Sequence, residues 1–252
     1  MDQAVFEPAL TQAQQAGRFD LYANVHKALR LYMTDTLARA GRTDPADDEE
    51  VAGAIGQLRD LLELCDLHIE DENRFVLPAI EARRPGISER NAEEHVSHGQ
   101  AIAALRREAA IVEQCGAADR SMAMLALYRR LALFVAENFE HMHYEETRLM
   151  PALWAEYPDE ALLEIEVAIV ASIPPVLMAR ALNWFLPALS HPERVGMLSG
   201  MRENAPPEAF AGALAIARER LAHRDWRRLA CALGLPAEDG AAAGGLRIAE
   251  RW

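Results

Sequence analysis

The stretch HIEDENRFVLP at residues 68–78 returns in outline as HMHYEETRLMP at residues 141–151. Each stretch begins with a histidine and has a glutamate four residues later, an apolar residue at nine and a proline at ten. A further histidine precedes each at a similar distance, because His26 lies 42 residues before His68 and His98 lies 43 residues before His141. The pattern predicts a duplicated helical hairpin.

Apolar residues recur at helical spacing along nearly the whole chain, and no stretch shows the sustained alternation that is typical of strands. We therefore predict an all-α protein. Long helices are expected over about 18–40, 48–83, 89–115 and 117–155, the third with Ser88 as its N-cap. Short loops join these segments, and this favours an antiparallel four-helix bundle.

The character of the chain changes beyond Tyr157, where helical segments become shorter and prolines divide them. We expect about five short helices there. The predicted organisation is a four-helix bundle at 1–157, a C-terminal helical extension at 158–235 and a mobile tail at 236–252.

The composition argues against nucleic-acid-binding and membrane-spanning classes of protein. The 39 acidic and 26 basic residues give a net charge of −13, which repels a phosphate backbone and argues against nucleic acid as a partner. No apolar run approaches the roughly 20 residues that cross a bilayer, and the N-terminus lacks a signal core. The cysteines, Cys65, Cys115 and Cys231, form no C-x-x-C pair, so we expect small buried thiols in a reducing compartment. We predict a cytoplasmic protein with no membrane partner.

The two repeated stretches place ionisable side chains on apolar helix faces. His68 and Glu72, like His141 and Glu145, differ by about 40° around the helix axis, so each pair should point inward together. Two buried carboxylates without cations would shift their pKa values or unfold the site. A pair of divalent cations resolves this problem, and imidazole with carboxylate favours iron or manganese over thiolate-preferring metals. Glutamates on facing helices can bridge two such ions.

This arrangement resembles the hemerythrin-like domain, whose pattern is a histidine, then H-x-x-x-E, then the same again. The match covers about residues 18–155. The resemblance implies a four-helix bundle that holds two non-haem iron ions joined by an oxo or hydroxo bridge, with manganese or zinc as less favoured metals. The predicted metal ligands are His26, His68, Glu72, His98, His141 and Glu145.

The third helix departs from the oxygen-carrying members, which have two histidines four residues apart there. The sequence EEHVSHGQAIAAL places His95 three residues before His98 and Glu94 four residues before it. His98 is the better match to the inner ligand, because Ile102 and Leu105 continue its stripe. Three alternatives stay open for that metal: Glu94 or a water completes its ligands, His95 does so as a fifth imidazole, or neither does. A ligand set richer in carboxylates favours oxidation, peroxide handling or iron sensing over stable oxygen carriage.

Two neighbours of the expected ligands have simpler interpretations. His143 lies about 200° from His141 around the helix and should be solvated. Tyr22, one turn before His26, should pack in the core, where its hydroxyl is also able to reach a bound oxygen species.

The C-terminal region contains no paired catalytic groups, phosphate loop or second metal pattern. We place His191 and His223 on its surface. Its amphipathic segments suit packing on the bundle, homodimerisation or docking of a protein partner.

These observations favour a non-haem di-iron protein that binds, senses or buffers dioxygen, nitric oxide or peroxide. The first alternative is a di-iron enzyme that reduces peroxide or nitric oxide or oxidises iron. The second is an iron-responsive interaction module whose helices rearrange when metal is lost. The sequence leaves open whether the protein is an enzyme.

Overall fold

The computed structural model describes residues 17–235, which form helices and connecting turns without any strand. The all-α fold that the sequence predicts is confirmed. The helices before residue 173 are α1 (Ala23–Arg42), α2 (Asp48–Asp71), α3 (Leu77–Glu81), α4 (Glu89–Gln114), α5 (Ala117–Tyr144), α6 (Met150–Glu156) and α7 (Asp159–Ser172).

The four long helices pack in a closed ring, in which α1 and α4 each contact both α2 and α5. Short loops connect successive helices, so neighbouring helices run antiparallel, and the predicted four-helix bundle is confirmed. Large apolar side chains from all four helices fill the interior, among them Met33, Leu58, Leu61, Leu105, Leu127 and Phe134.

Local chemistry sets the helix ends. The carboxylate of Asp47 accepts the backbone N–H groups of Glu49 and Glu50 at 2.9 and 3.0 Å, so it caps α2. Asp20 accepts the N–H groups of Tyr22 and Ala23 in the same way, which starts α1 later than the predicted residue 18. These caps satisfy amide groups that have no partner within the helix.

Ser88 precedes α4 as predicted, but its hydroxyl does not cap that helix. It donates instead to Oε1 of Glu81 at 2.6 Å, across the turn that joins α3 to α4. Gly86 lies in this turn with a φ of +87°, a conformation that glycine adopts without a steric penalty.

Two π-helical turns interrupt what the sequence predicts as continuous helices. The segments Glu72–Val76 and Glu145–Leu149 join α2 to α3 and α5 to α6. Pro78 and Pro151 follow at equivalent places, and a proline in a helix removes one amide donor and crowds the preceding turn. The wider turn accommodates this, because the amide before each proline donates to the carbonyl five residues back.

The chain divides into two compact units, one that ends at Ser172 and one that begins at Ile173. Helix α7 belongs to the first unit because it packs on the π-helical turn Glu72–Val76. The boundary therefore lies beyond the predicted residue 157. The predicted tail at 236–252 is outside the described residues.

The second unit contains α8 (Pro175–Ala188), α9 (His191–Asn204), α10 (Pro207–Arg220) and α11 (His223–Ala232). These helices enclose a core of their own, whose buried members include Leu182, Leu186, Leu198, Ala213, Leu221 and Leu229. Together with α7, they match the expected short helices after Tyr157 within the described part of the chain.

The absence of a membrane span and the burial of the cysteines are two other expectations for residues 17–235. No single helix there is long and apolar enough to cross a membrane, although one bent pair, α7 with α8, passes by length and composition taken together. All three cysteines are free thiols. Cys65 is buried, but Cys231 is exposed, so the expectation of three buried thiols is wrong for that residue.

Candidate metal centre

Side chains from all four long helices of the bundle converge in its interior. They are His26 from α1, His68 from α2, Glu72 at the start of the first π-helical turn, His95 from α4, His141 from α5, and Glu145 at the start of the second π-helical turn. Five of these residues expose 4% of their surface or less, and the side chain of His68 exposes 14%. The bundle therefore encloses four imidazoles and two carboxyl groups.

The first group of candidate ligands comprises His26, His68, Glu72 and Glu145, whose ligand atoms all lie within 4.8 Å of one another. Nε2 of His26 lies 3.2 Å from Oε2 of Glu145. Nε2 of His68 lies 3.2 Å from Oε1 of Glu72. This group supplies two imidazole nitrogens and two carboxylate oxygens, a donor set that suits iron, zinc or manganese.

The second group comprises Glu72, His95, His141 and Glu145 and meets the same 4.8 Å limit. Nε2 of His95 lies 3.0 Å from Oε2 of Glu72, and Nε2 of His141 lies 3.0 Å from Oε1 of Glu145. It has the same donor composition as the first group.

The two glutamates therefore divide their oxygens between the groups. Glu72 turns Oε1 to His68 and Oε2 to His95. Glu145 turns Oε2 to His26 and Oε1 to His141. A carboxylate that faces two donor sets in this way can bridge two metal ions.

Unpaired atoms at the centre fit bound cations. Within the described residues, several buried atoms have no hydrogen-bond partner, namely Nε2 of His26 and of His68, both oxygens of Glu72 and Oε2 of Glu145. Leaving such groups unsatisfied costs free energy, and buried charges in proteins are paired or bind metals. The residues present thus suit a pair of cations.

The electrostatics of the two carboxyl groups lead to the same conclusion. Burial, with the negative charge of Glu145, raises the pKa of Glu72 well above its usual range. Burial opposes ionisation of Glu145 as well, but the close imidazoles of His141, His26 and His95 hold its pKa well below its usual range. Two close buried carboxyl groups do not both ionise readily without compensation, so cations would displace the proton that Glu72 retains.

A histidine ring that turns its Nε2 atom to the centre is oriented by a contact at its other nitrogen, Nδ1. Oε1 of Glu146 lies 2.9 Å from Nδ1 of His26 and also accepts a hydrogen bond from Arg30. Although burial lowers the pKa of His26, the adjacent carboxylates of Glu145 and Glu146 raise it to about 9. The carboxylate at Nδ1 thus makes Nδ1 the donor and directs Nε2 to the centre.

Comparable contacts fix two other rings. Oε2 of Glu94 lies 2.7 Å from Nδ1 of His141. Oδ1 of Asn73 lies 2.8 Å from Nδ1 of His95. Sequence reasoning missed Asn73 and Glu146, yet a signal exists, because each directly follows the glutamate of a repeated stretch. Each one holds the upstream histidine of the opposite half.

The structure brings together five of the six predicted ligands, His26, His68, Glu72, His141 and Glu145. His98 belongs to neither group of donors. Its ring is buried edge-on against His141, with 4.7 Å between centroids, and within the described residues its Nδ1 has no partner. Burial, with the nearby charge of His141, lowers the pKa of His98 to about 4. His95 takes the inner position that the sequence analysis gave to His98, whereas the sequence had left His95 open only as an additional, fifth imidazole.

Tyr22 and Asn91 occupy equivalent places, each one turn before an inner histidine. The Tyr22 ring stacks on His26 with 5.1 Å between centroids, and its buried hydroxyl has no partner within the described residues. The Asn91 amide donates to Oε1 of Glu145 at 2.7 Å. Both residues are buried beside the centre, whereas His143 is exposed as predicted.

Comparison with protein-family models gives one match, the Hemerythrin HHE cation binding domain, over residues 18–160. The matched segment spans more than half of the chain and contains every residue of both donor groups. Searches of curated proteins and of solved structures returned no match.

Proposed function

Because the chain belongs to the hemerythrin HHE cation-binding family, we propose that it is a non-haem di-iron protein that binds, senses or buffers dioxygen or a related small oxidant such as nitric oxide or peroxide. The observation that carries this proposal is the division of the Glu72 and Glu145 oxygens between two pairs of imidazoles. Such a division provides two adjacent cation positions that share both carboxylates.

The donor count favours iron over a structural zinc. Each position has four protein donors, and structural zinc is complete with four. Non-haem iron accepts further ligands beyond its histidines and carboxylates, so a small molecule can still bind. The iron pair, when bound, supplies the electrons and the open coordination position for the oxidant.

The chain itself provides a dry and oriented environment. The apolar interior of the bundle excludes water from the centre. Glu146, Glu94 and Asn73 hold Nδ1 of their histidines, so the opposite nitrogens stay aimed at the metal positions. The Tyr22 hydroxyl and the Asn91 amide supply polar hydrogens beside the site.

The position of Tyr22 favours a second candidate function, in which the protein is an enzyme that reduces peroxide or nitric oxide. Reduction of peroxide consumes protons, and a buried hydroxyl beside His26 is placed to deliver one. A turnover assay separates the two functions, because a binder gives a stoichiometric response and an enzyme gives continuous consumption of peroxide.

The first test is metal content by mass spectrometry on protein from iron-supplemented cells, with a visible spectrum before and after anaerobic reduction and re-exposure to air. We expect about two irons per chain and a band that bleaches on reduction and returns with air. A chain without iron would overturn the proposal.

The variant Glu145→Ala should lose most of the iron, because it removes one oxygen from each position. It should also lower the melting temperature, since bound metal stabilises the native state. The matched control is His143→Ala, two residues earlier, in α5, which removes an exposed imidazole and should change neither quantity. Full iron retention in Glu145→Ala would refute this site.

A further inference from the structure

The second compact unit carries a surface groove that has no part in the metal centre. Its volume is about 760 Å³. The residues that line it are His191, His223, Arg224, Arg227, Arg228, Cys231 and Ala232. The groove thus joins the first residue of α9 to one face of α11.

Three arginines dominate one wall. Arg224, Arg227 and Arg228 are three and four positions apart on α11, so they share a helix face. All three are exposed, while Leu229 and Ala230 on the other side of the helix are fully buried. The core of the unit therefore fixes the orientation of α11 and leaves its basic face outward.

The charges on this face are not neutralised within residues 17–235, where none of the three arginines forms an ion pair. Arginines of the bundle differ, since several pair with carboxylates, as in Arg59 with Glu113 and Arg106 with Asp66. Three uncompensated guanidinium groups are unusual in a chain with a net charge of −13. They create a local positive potential in an otherwise acidic protein.

Two acidic residues, Glu193 and Asp225, lie within two positions of groove-lining residues in the sequence. Glu193 on α9 accepts the backbone N–H of Ser190 at 2.7 Å and so caps its own helix. The negative charge of Asp225 on α11 raises the pKa of the buried Arg194 against the stronger effect of burial. Neither carboxylate lines the groove.

The start of α11 adds to the positive potential. Its N-cap is Ala222, which has no side chain that could accept the first amide groups of the helix. Those amides, with the positive end of the helix dipole, lie at His223 and Arg224 on the rim of the groove. Helix starts of this kind favour phosphate groups.

We propose that this groove binds a compact oligophosphate, either free or carried on a nucleoside. Small-molecule sites have volumes of roughly 300–1,000 Å³, and the groove lies within that range. One guanidinium group can donate two parallel hydrogen bonds to the oxygens of a phosphate group. Three guanidinium groups on one helix face therefore match a ligand with two or more phosphates. The groove is lined by only seven residues, so a long nucleic acid would extend beyond it, whereas a compact oligophosphate is held within it.

Isothermal titration of the full chain with inorganic tripolyphosphate, at low salt, tests the proposal. We expect saturable binding to one site and weaker binding of single phosphate. The variant Arg224→Gln/Arg228→Gln should bind tripolyphosphate at least tenfold more weakly. Titration with a nucleoside triphosphate distinguishes a free oligophosphate from one carried on a nucleoside. Tighter binding of the nucleoside triphosphate than of tripolyphosphate would show that the ligand carries a nucleoside.

The matched control is Arg107→Gln/Arg129→Gln, which removes two exposed arginines of the bundle and changes the net charge equally. It should bind tripolyphosphate as the parent chain does. Both variants keep the His and Glu residues of the metal centre, so any chelation of metal by tripolyphosphate is the same in both. The proposal would be overturned if the two variants weakened binding equally, or if the parent chain did not bind tripolyphosphate. It would also be overturned if a single-stranded oligonucleotide bound more tightly than tripolyphosphate.

Discussion

The Nε2 atoms of His95 and His141 lie 3.2 Å apart, although the rings come from the separate helices α4 and α5. At this distance the two nitrogens share one proton or face one cation. Each has its Nδ1 occupied by an acceptor on another residue, Asn73 for His95 and Glu94 for His141. Two further side chains thus fix the pair in a position that suits a metal ion.

His95 and His98 should differ in their effect on metal content. His95→Ala removes a donor from the second group and should lower the iron from about two per chain to one or fewer. His98→Ala removes a ring that belongs to neither group, so the iron content should stay near two. Mass spectrometry of both variants decides this. The opposite order of losses would restore His98 as the ligand.

Removing the carboxylates that hold histidine rings should weaken metal binding without abolishing it. Glu146→Ala and Glu94→Ala each free an Nδ1 atom, and such changes lower metal affinity by about 10- to 100-fold. Glutamine at either position should recover part of the affinity, because its oxygen still accepts the hydrogen bond. Competition with a chelator of known affinity measures the change.

The exposed Glu140 on α5 provides the control for this series. Among the described residues, its ion-pair partner is Arg90 alone, at 3.7 Å. Glu140→Ala should leave the metal affinity at its parent value. If all three alanine variants weaken binding equally, the effect belongs to net charge and the positioning role is wrong.

The Tyr22 hydroxyl should contribute little to the stability of the metal-free protein. It is buried without a partner in the described residues, so Tyr22→Phe should leave the free energy of unfolding unchanged or raise it. Tyr157→Phe is the comparison, because that hydroxyl donates to the carbonyl of Ala79 at 2.8 Å and its loss should cost about 1 kcal/mol. Urea unfolding measures both, and an equal loss in the two variants would show that Tyr22 has a partner.

Glu166 should make stability fall as the pH rises. Burial raises its pKa to about 7, so the folded chain retains a proton there that the unfolded chain releases above roughly pH 4.5. The contribution of Glu166 to stability is therefore present at low pH and is lost as the pH rises through about 7. Glu166→Gln should stabilise the protein at pH 8 and have little effect at pH 5.

Urea unfolding at both pH values tests this. Glu164→Gln is the control, because Glu164 is exposed on the same helix α7 and should change stability equally at pH 5 and pH 8. A gain for Glu166→Gln that is the same at both pH values would contradict the assigned cause.

Helical periodicity was sufficient to predict the long helices, and the repeated H-x-x-x-E frame with the resemblance to the hemerythrin-like domain predicted five of the residues that meet at the centre. The periodicity favoured His98, whose stripe Ile102 and Leu105 continue, but α4 buries both histidines and it is His95 that joins the donor groups. The choice depends on Asn73, which holds His95 from the opposite half of the bundle. Such a contact between distant segments leaves no trace in the spacing of apolar residues.

The π-helical turns were missed for a different reason. Each covers only five residues, and its hydrogen bonds are shifted by one position from those of an α-helix. A repeat this short does not alter the apolar pattern enough to detect. The prolines at 78 and 151 were visible in the sequence, but their effect depends on whether the helix ends or widens before them.

The exchange of glutamate oxygens between the two halves bears on how the proposed centre is loaded. Glu72 comes from the first half of the duplication and gives one oxygen to the second pair of histidines, while Glu145 does the reverse. An ion that enters one position would orient a carboxylate for the other, so the second binding step should be tighter than the first. Under limiting iron the population would then consist mainly of full and empty molecules, and the two ancestral halves would respond as one cooperative unit.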